Sequence, residues 1–213
     1  MRVRKIPGAI DKIQQHPQVI TQPQKYWGCW KQHFENKPIH LEIGMGRGQF
    51  LIEMARQNPH IHYIGIEKYD SILIGALDKL EGYTIPNLSL LNVNGEHILE
   101  IFHKSEIQQI YLNFSDPWPK QRHQKRRLTH RNFLEKYAFV LEAEGNVHVK
   151  TDNEAFFLFS LEEFEHCDWT LKNINYDLHN SSFASTNVMT EYEQRFLNQG
   201  KPIYRLEAKR PSF

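Results

Sequence analysis

A carboxylate stands directly before a glycine-rich turn in Glu42-Ile43-Gly44-Met45-Gly46-Arg47-Gly48. Glycines at 44, 46 and 48 permit a tight turn and close backbone approach to a ligand, and the helix start that follows offers free N–H groups. A second acid, Glu67, closes an apolar run 23 residues after Gly44. From that position a side chain can accept both hydroxyls of an adenosine ribose. The dinucleotide loop is spaced G-x-G-x-x-G, whereas this one is G-x-G-x-G, shows no pyrophosphate anchor, and carries an acid that would repel one. A cofactor with positive charge suits Glu42 better. S-adenosylmethionine, with its sulfonium and ammonium groups, is the first reading; a dinucleotide and a purely structural turn are the alternatives.

Two more positions extend this set. Asn94 ends a third apolar run and could hydrogen-bond adenine, or it could cap the helix behind it. Asp116-Pro117-Trp118-Pro119 follows a fourth run, and its prolines hold the backbone rather than extend a strand. Six cations and no acid come next, in residues 117–131. A fixed Asp beside an aromatic and a basic run could bring cofactor, base and phosphate contacts together. Guanine N7 has a free lone pair, so attack on a methyl sulfonium needs no proton removed. A carboxylate would instead offset the positive charge developing on the purine. The plainer readings are a turn-initiating Asp116 and a packed Trp118.

Later in the chain, Asp152 lies in Lys150-Thr151-Asp152-Asn153 and reads as a ligand-edge acid or a helix cap. Thr190-Glu191-Tyr192-Glu193 could grip the N1–H and amine edge that separates guanine from adenine. It also has the spacing of a capping box, and both readings can hold together. Tyr26, Trp27 and Trp30, among Lys25 and Lys31, could stack on bases or pack on the domain. Twelve histidines are scattered without a third ligand for His60-x-His62, and two cysteines make neither a disulfide framework nor a zinc site, so no metal is expected.

These residues need a scaffold, and the alternation of apolar runs supplies one. Strands are expected over 39–44, 62–68, 88–94, 107–114 and 146–152. Helical stretches fall between them, one running from Thr129 to a C-cap at Gly145. Two late strands, in WTLKNINYDL and IYRLEAKR, show no clear helix between them. Strand, crossover helix and strand in series imply a doubly wound, mostly parallel α/β sheet. The candidate residues then share its carboxyl edge, where such sheets bind ligands.

The chain has 213 residues and a formal net charge of +1, room for one ordinary domain. No apolar run reaches the ~20 residues of a membrane span, and the basic start lacks the apolar stretch of a signal peptide. The net charge conceals an uneven distribution. Residues 1–37 hold seven Lys/Arg against two acids, a net of +5; residues 117–131 hold +6; the rest is −10. Two basic segments on an acidic body suit a polyanion partner, although solvated basic runs are common.

On LEIGMGRGQFL, GIEK, SDPWPKQRHQKRRL, KTDN, TEYEQRF and GKPIYRLEAKR, the chain resembles the bacterial tRNA (guanine-N7-)-methyltransferases, the TrmB group, from about Ile39 to Lys209. The resemblance implies a class I, Rossmann-like methyltransferase fold with a seven-stranded sheet. It also implies methylation of the variable-loop guanosine at tRNA position 46. Position by position, it implies S-adenosylmethionine binding by Glu42, Gly44, Gly46, Gly48, Glu67, Asn94 and Asp116, with Asp116 also catalytic. Lys120, Asp152, Thr190, Glu191, Tyr192 and Glu193 match substrate-binding positions. Arg122, His123, Gln124, Lys125, Arg126 and Arg127 match the stretch that contacts RNA. Two departures stand out: Asn94 where Asp is frequent, and Gln121 where Lys is common. The expected organisation is a basic N-terminal extension over 1–37 and a methyltransferase domain over 38–213, in a cytoplasmic monomer or homodimer. The rival readings are a methyltransferase of another substrate and a non-catalytic RNA-binding module.

Overall fold

Every residue of β1 (Ile39–Ile43), β2 (His62–Ile66) and β3 (Leu88–Leu91) is buried in the computed structural model, which describes residues 6–211. Strands covered on both faces read as continuous apolar runs, which is why these three are plain in the sequence. With β4 (Ile107–Asn113), β5 (Leu141–Thr151), β6 (Thr170–Asn175) and β7 (Tyr204–Lys209) they form one seven-stranded sheet, ordered β3-β2-β1-β4-β5-β7-β6. The first five strands pair in parallel, and β7 runs antiparallel to both β5 and β6. Strand order reverses between β1 and β4, opening a crevice at their carboxyl ends. Apolar cores fill both faces of the sheet.

Two helices matter most for the site. α3 (Gln49–Gln57) leaves the glycine turn, in which Gly44, Gly46 and Gly48 all have positive φ (76°, 59° and 70°) that L side chains rarely adopt. It lies so close to β2 that a Cβ on Gly65 would collide with Met45 and Leu51. α4 (Asp70–Asp78) follows β2. α5 (Ile98–Ile101), α6 (Arg131–Val140) and α7 (Glu154–His166) complete the crossovers.

The helix expected to reach Gly145 ends at Val140. Leu141 opens β5 instead: it is fully buried, pairs with Ile107, and is followed by an irregular register before Asn146 pairs with Gln109. The Gly145 carbonyl accepts from the Arg210 N–H (2.9 Å), so this glycine belongs to the sheet rather than to a helix cap. A further helix, α8 (Glu191–Leu197), lies between the two late strands where none was clear from the sequence.

The described part of the N-terminal segment is built into the domain. α1 (Ala9–Gln15) buries Ala9 and Ile13 near α4, and Val19 forms a parallel bridge to Leu90 at the β3 edge. α2 (Trp30–His33) places Trp30 fully inside the core, its Nε1 donating to the Ile101 carbonyl (2.7 Å). Tyr26 stacks on His33, while Trp27 is half exposed yet donates to the Leu99 carbonyl. Packing therefore accounts for these aromatics. Lys12 and Lys31 are held by Asp78 and Glu142, each at 2.6 Å. Arg2, Arg4 and Lys5 lie outside the described residues.

Candidate active site

The glycine turn and the ends of β2 and β4 enclose two adjoining cavities. The larger, about 260 Å³, is bounded by Glu67, Tyr69, Asn94 and the Ser115–Trp118 turn. The smaller, about 60 Å³, runs past Glu42, Asn113 and Phe50 beneath Thr190, Glu191 and Tyr192. Gly44, Gly46, Phe114 and Tyr192 line both, so the two form one crevice.

Glu42 is 2% exposed, and its Oε1 accepts from Asn113 Nδ2 (2.8 Å). Its Oε2 and the Asn113 Oδ1 are both buried without a partner among the described residues. Burial pushes the Glu42 carboxyl up to about 8, against the opposing pull of Asn113 and Lys150. Two unpartnered acceptors in a closed polar corner are costly unless a donor fills it. A ligand ammonium is the donor whose charge and shape fit, and the acid would ionise to meet it. Sequence reasoning missed Asn113, although its place at the end of β4 beside the sheet's reversal could have found it.

Glu67 holds the opposite end of the crevice. Its Oε2 accepts from the Gly46 N–H (3.2 Å) and its Oε1 from the Tyr69 N–H (2.9 Å), which fixes the carboxylate and ties it to the glycine turn. Burial raises its pKa even so, the backbone donors pulling the other way. Lone pairs remain on both oxygens for ribose hydroxyls. Asn94 lines this cavity, and its side chain caps the next turn by accepting from the Glu96 N–H (3.2 Å).

Asp116 is exposed at the rim, in a turn with positive φ at Phe114 (51°) and Trp118 (42°). Such backbone persists only where its surroundings hold it. Arg127 supplies that hold. Rather than facing solvent with the basic run, it is 9% exposed and packs over the Phe159 ring. Its Nε donates to the Pro117 carbonyl (2.9 Å) and its Nη2 to the Trp118 carbonyl (3.2 Å). For Arg127, expected among the RNA-contacting residues, this geometry shows two donors turned inward to backbone oxygens. Arg126 instead lies over the Trp118 ring (5.0 Å), and His123 meets that ring edge-on. Arg122 and Lys125 are exposed, and Gln124 is half-buried in the same 3-10 turn, Gln121–Arg126.

Lys120 and Asp152 line neither cavity; the first is exposed at the start of that turn and the second half-buried just past β5. Thr190 and Glu193 form a complete capping box on α8. Glu191 pairs with Lys79 (2.5 Å), and Tyr192 is half exposed at the mouth. Glu193 differs from the other expected substrate residues in its burial. It is fully buried, lines neither cavity, and pairs with Lys150 (2.7 Å). Among the described residues no group of three or more His, Cys, Asp or Glu could hold a metal ion, and no helix is long and apolar enough to cross a membrane.

A doubly wound sheet with an acid closing β2, an acid within β1 and a glycine turn between them defines a class I methyltransferase fold. Solved structures agree on that fold. A 16S rRNA methyltransferase, KamB, superposes with a TM-score of 0.58 at 15% identity, over 98% of this chain and 95% of its own. A Streptococcus mutans protein described as "a putative methyltransferase", in complex with SAH, gives 0.53 at 16% identity, over 82% and 89%. The family model described as "Putative methyltransferase" matches residues 36–206. The tRNA (guanine-N(7)-)-methyltransferase of Geobacillus sp. (strain WCH70) is 54% identical over 99% of this chain and 96% of its own. That of Lachnoclostridium phytofermentans is 50% identical over 99% of each. The chain belongs to the tRNA (guanine-N7-)-methyltransferase family.

Proposed function

We propose that this protein methylates N7 of the guanosine at variable-loop position 46 of tRNA, with S-adenosylmethionine as donor. The guanine-N7 activity on tRNA is that of its family; the target position is our reading, supported by the SDPWPK motif and the basic run behind it. The observation that carries the assignment is the pair of unpartnered buried oxygens on Glu42 and Asn113, beside a glycine turn and within one crevice of Asp116.

When bound, S-adenosylmethionine supplies an electrophilic methyl group on a sulfonium. The chain's own task is then to seat and align. Glu42 and Asn113 receive the ammonium, Glu67 the ribose hydroxyls and Asn94 the adenine edge. Guanine N7 needs no proton removed, so no general base is required. Asp116 instead orients the base and offsets the charge that grows on the purine, within a turn stiffened by Arg127. Thr190, Glu191 and Tyr192 border the base, with Lys120 and Asp152 on its flanks. Arg122, His123, Gln124, Lys125 and Arg126 face the RNA, which is recognised through its shape and a presented loop base. The same reading puts the protein in the cytoplasm, as a monomer or homodimer.

The test is incubation with labelled S-adenosylmethionine and unmodified tRNA, with guanosine present or replaced at the variable-loop site. Label should appear in N7-methylguanosine and depend on that guanosine. Label independent of it defeats the target, and tight tRNA binding without label defeats the activity. Asp116→Asn, which keeps shape and removes charge, should lower single-turnover rate on the order of 10²-fold. A near-normal rate would leave Asp116 no electrostatic part.

A further inference from the structure

We infer that Lys150 and Glu193 form a buried latch that positions the Thr190–Tyr192 segment, and that Glu193 does not itself touch the guanine. This rests on the reading that Thr190–Tyr192 border the base. Lys150 stands on β5 with its side chain 8% exposed, and its ammonium donates to three acceptors. They are Asn187 Oδ1 (3.1 Å), the Val188 carbonyl (2.9 Å) and Glu193 Oε2 (2.7 Å). An ammonium has three donors, so none is left over.

Both oxygens of Glu193 are engaged as well. Oε1 accepts from Asn187 Nδ2 (2.5 Å), and Oε2 accepts from Lys150 and, weakly, from the Thr190 N–H (3.4 Å). His179 Nε2 lies 3.5 Å from Oε1 without a hydrogen bond. The Glu193 N–H in turn donates to Thr190 Oγ1 (3.0 Å). One sheet lysine thus ties down Asn187 and Val188 before the segment and Glu193 after it. The three residues between Val188 and Glu193 that line the small cavity, Thr190, Glu191 and Tyr192, are strung across that brace.

A direct guanine ligand would have to leave this arrangement, stranding a buried ammonium without its counter-charge. Phe196 further along α8 stacks on Phe114, and the segment's other ion pair, Lys79 with Glu191, is at the surface, with side chains 26% and 42% exposed. Exposed pairs of that kind hold little. Of the two ion pairs, the buried one is therefore the stronger hold on where the segment sits.

Guanosine and inosine at the target separate positioning from contact, because inosine lacks the exocyclic amine that a carboxylate would accept from. In Glu193→Gln and Lys150→Met, turnover should fall about tenfold or more on both tRNAs, with the guanosine-to-inosine rate ratio within about twofold of wild type. The double variant Lys150→Met/Glu193→Met should be little worse than either single, as for residues acting as one unit. A ratio displaced further than that in Glu193→Gln overturns the latch in favour of direct contact. Turnover unchanged in Lys150→Met overturns it as well.

A second measurement is independent of turnover. Hydrogen exchange in Lys150→Met should show faster exchange at 187–193 while β1 and β4 keep their protection; unchanged exchange at 187–193 rejects the latch. Wild-type protein that methylates neither tRNA at the target would instead defeat the reading on which the latch rests.

Discussion

At the scale of single residues, the site buries two oxygens, on Glu42 and Asn113, that no donor among the described residues reaches. Glu42 folds into a buried corner and holds its proton up to about 8. A carboxyl whose folded pKa is raised binds more protons folded than unfolded between its ordinary value and about 8. Stability of the free protein therefore falls as pH rises through that window. Glu42→Gln removes this penalty and should stabilise the ligand-free fold at pH 8 by a few kcal/mol, read as a higher Tm, while greatly weakening cofactor binding. If Glu42 meets the cofactor ammonium as proposed, binding should draw the proton off the wild-type carboxyl. Calorimetry below pH 8 in buffers of different ionisation enthalpy should record close to one proton released, and no release would remove Glu42 from the ammonium site. Arg127 makes the complementary case, a cation engaged in holding backbone. Arg127→Ala strands two carbonyls, at a cost of about 1–3 kcal/mol if they stay dry. It should lower turnover yet leave the salt dependence of tRNA binding unaltered; a reduced salt slope would return Arg127 to the RNA surface.

At the scale of elements, the glycine turn depends on close packing between α3 and β2. A methyl at Gly65 would meet Met45 of the turn and Leu51 of α3. Gly65→Ala should cost about 1–3 kcal/mol through overpacking and weaken cofactor affinity together with Tm. Loss of stability with affinity intact would separate the turn from its support. Parallel strands were legible because burial on both faces leaves apolar runs, and the glycine turn with Glu67 was legible because its spacing is chemical. The Val140–Leu141 junction was not. Leu141-Glu142-Ala143-Glu144-Gly145 has the composition of a helix end, and pairing of Leu141 with Ile107 overrides it. The inward turns of Arg127 and Glu193 were hidden for another reason: sequence gives a side chain's charge but not its direction. A basic run then looks uniform when one member faces the core.

At the scale of the whole molecule, the charge is sorted rather than merely balanced. Lys12 and Lys31 are engaged in ion pairs, while Arg122, Lys125 and Arg126 are exposed near Asp116. Lys125→Ala and Arg126→Ala should each lower the salt slope of tRNA binding by roughly 0.7–0.9. Lys12→Ala should leave it unchanged. Equal losses from all three would mean that RNA contact is spread over the whole surface.

The reversal of β7 has a further consequence. Because β7 runs antiparallel between β5 and β6, Tyr204 starts beside Thr151, and β6 ends near the start of β7. The connection over 176–203 therefore leaves from and returns to the ligand edge, as an oversized hairpin loop. Glu42, Glu67 and Asn94 belong to the β3-β2-β1 side, while Asp116 and Thr190–Glu193 belong to the other. On the proposed assignment, Asn113 at the end of β4 reaches across the reversal to Glu42. Exchanging or lengthening the loop would then change what the methyl acceptor meets while β1, β2 and β3 keep their geometry.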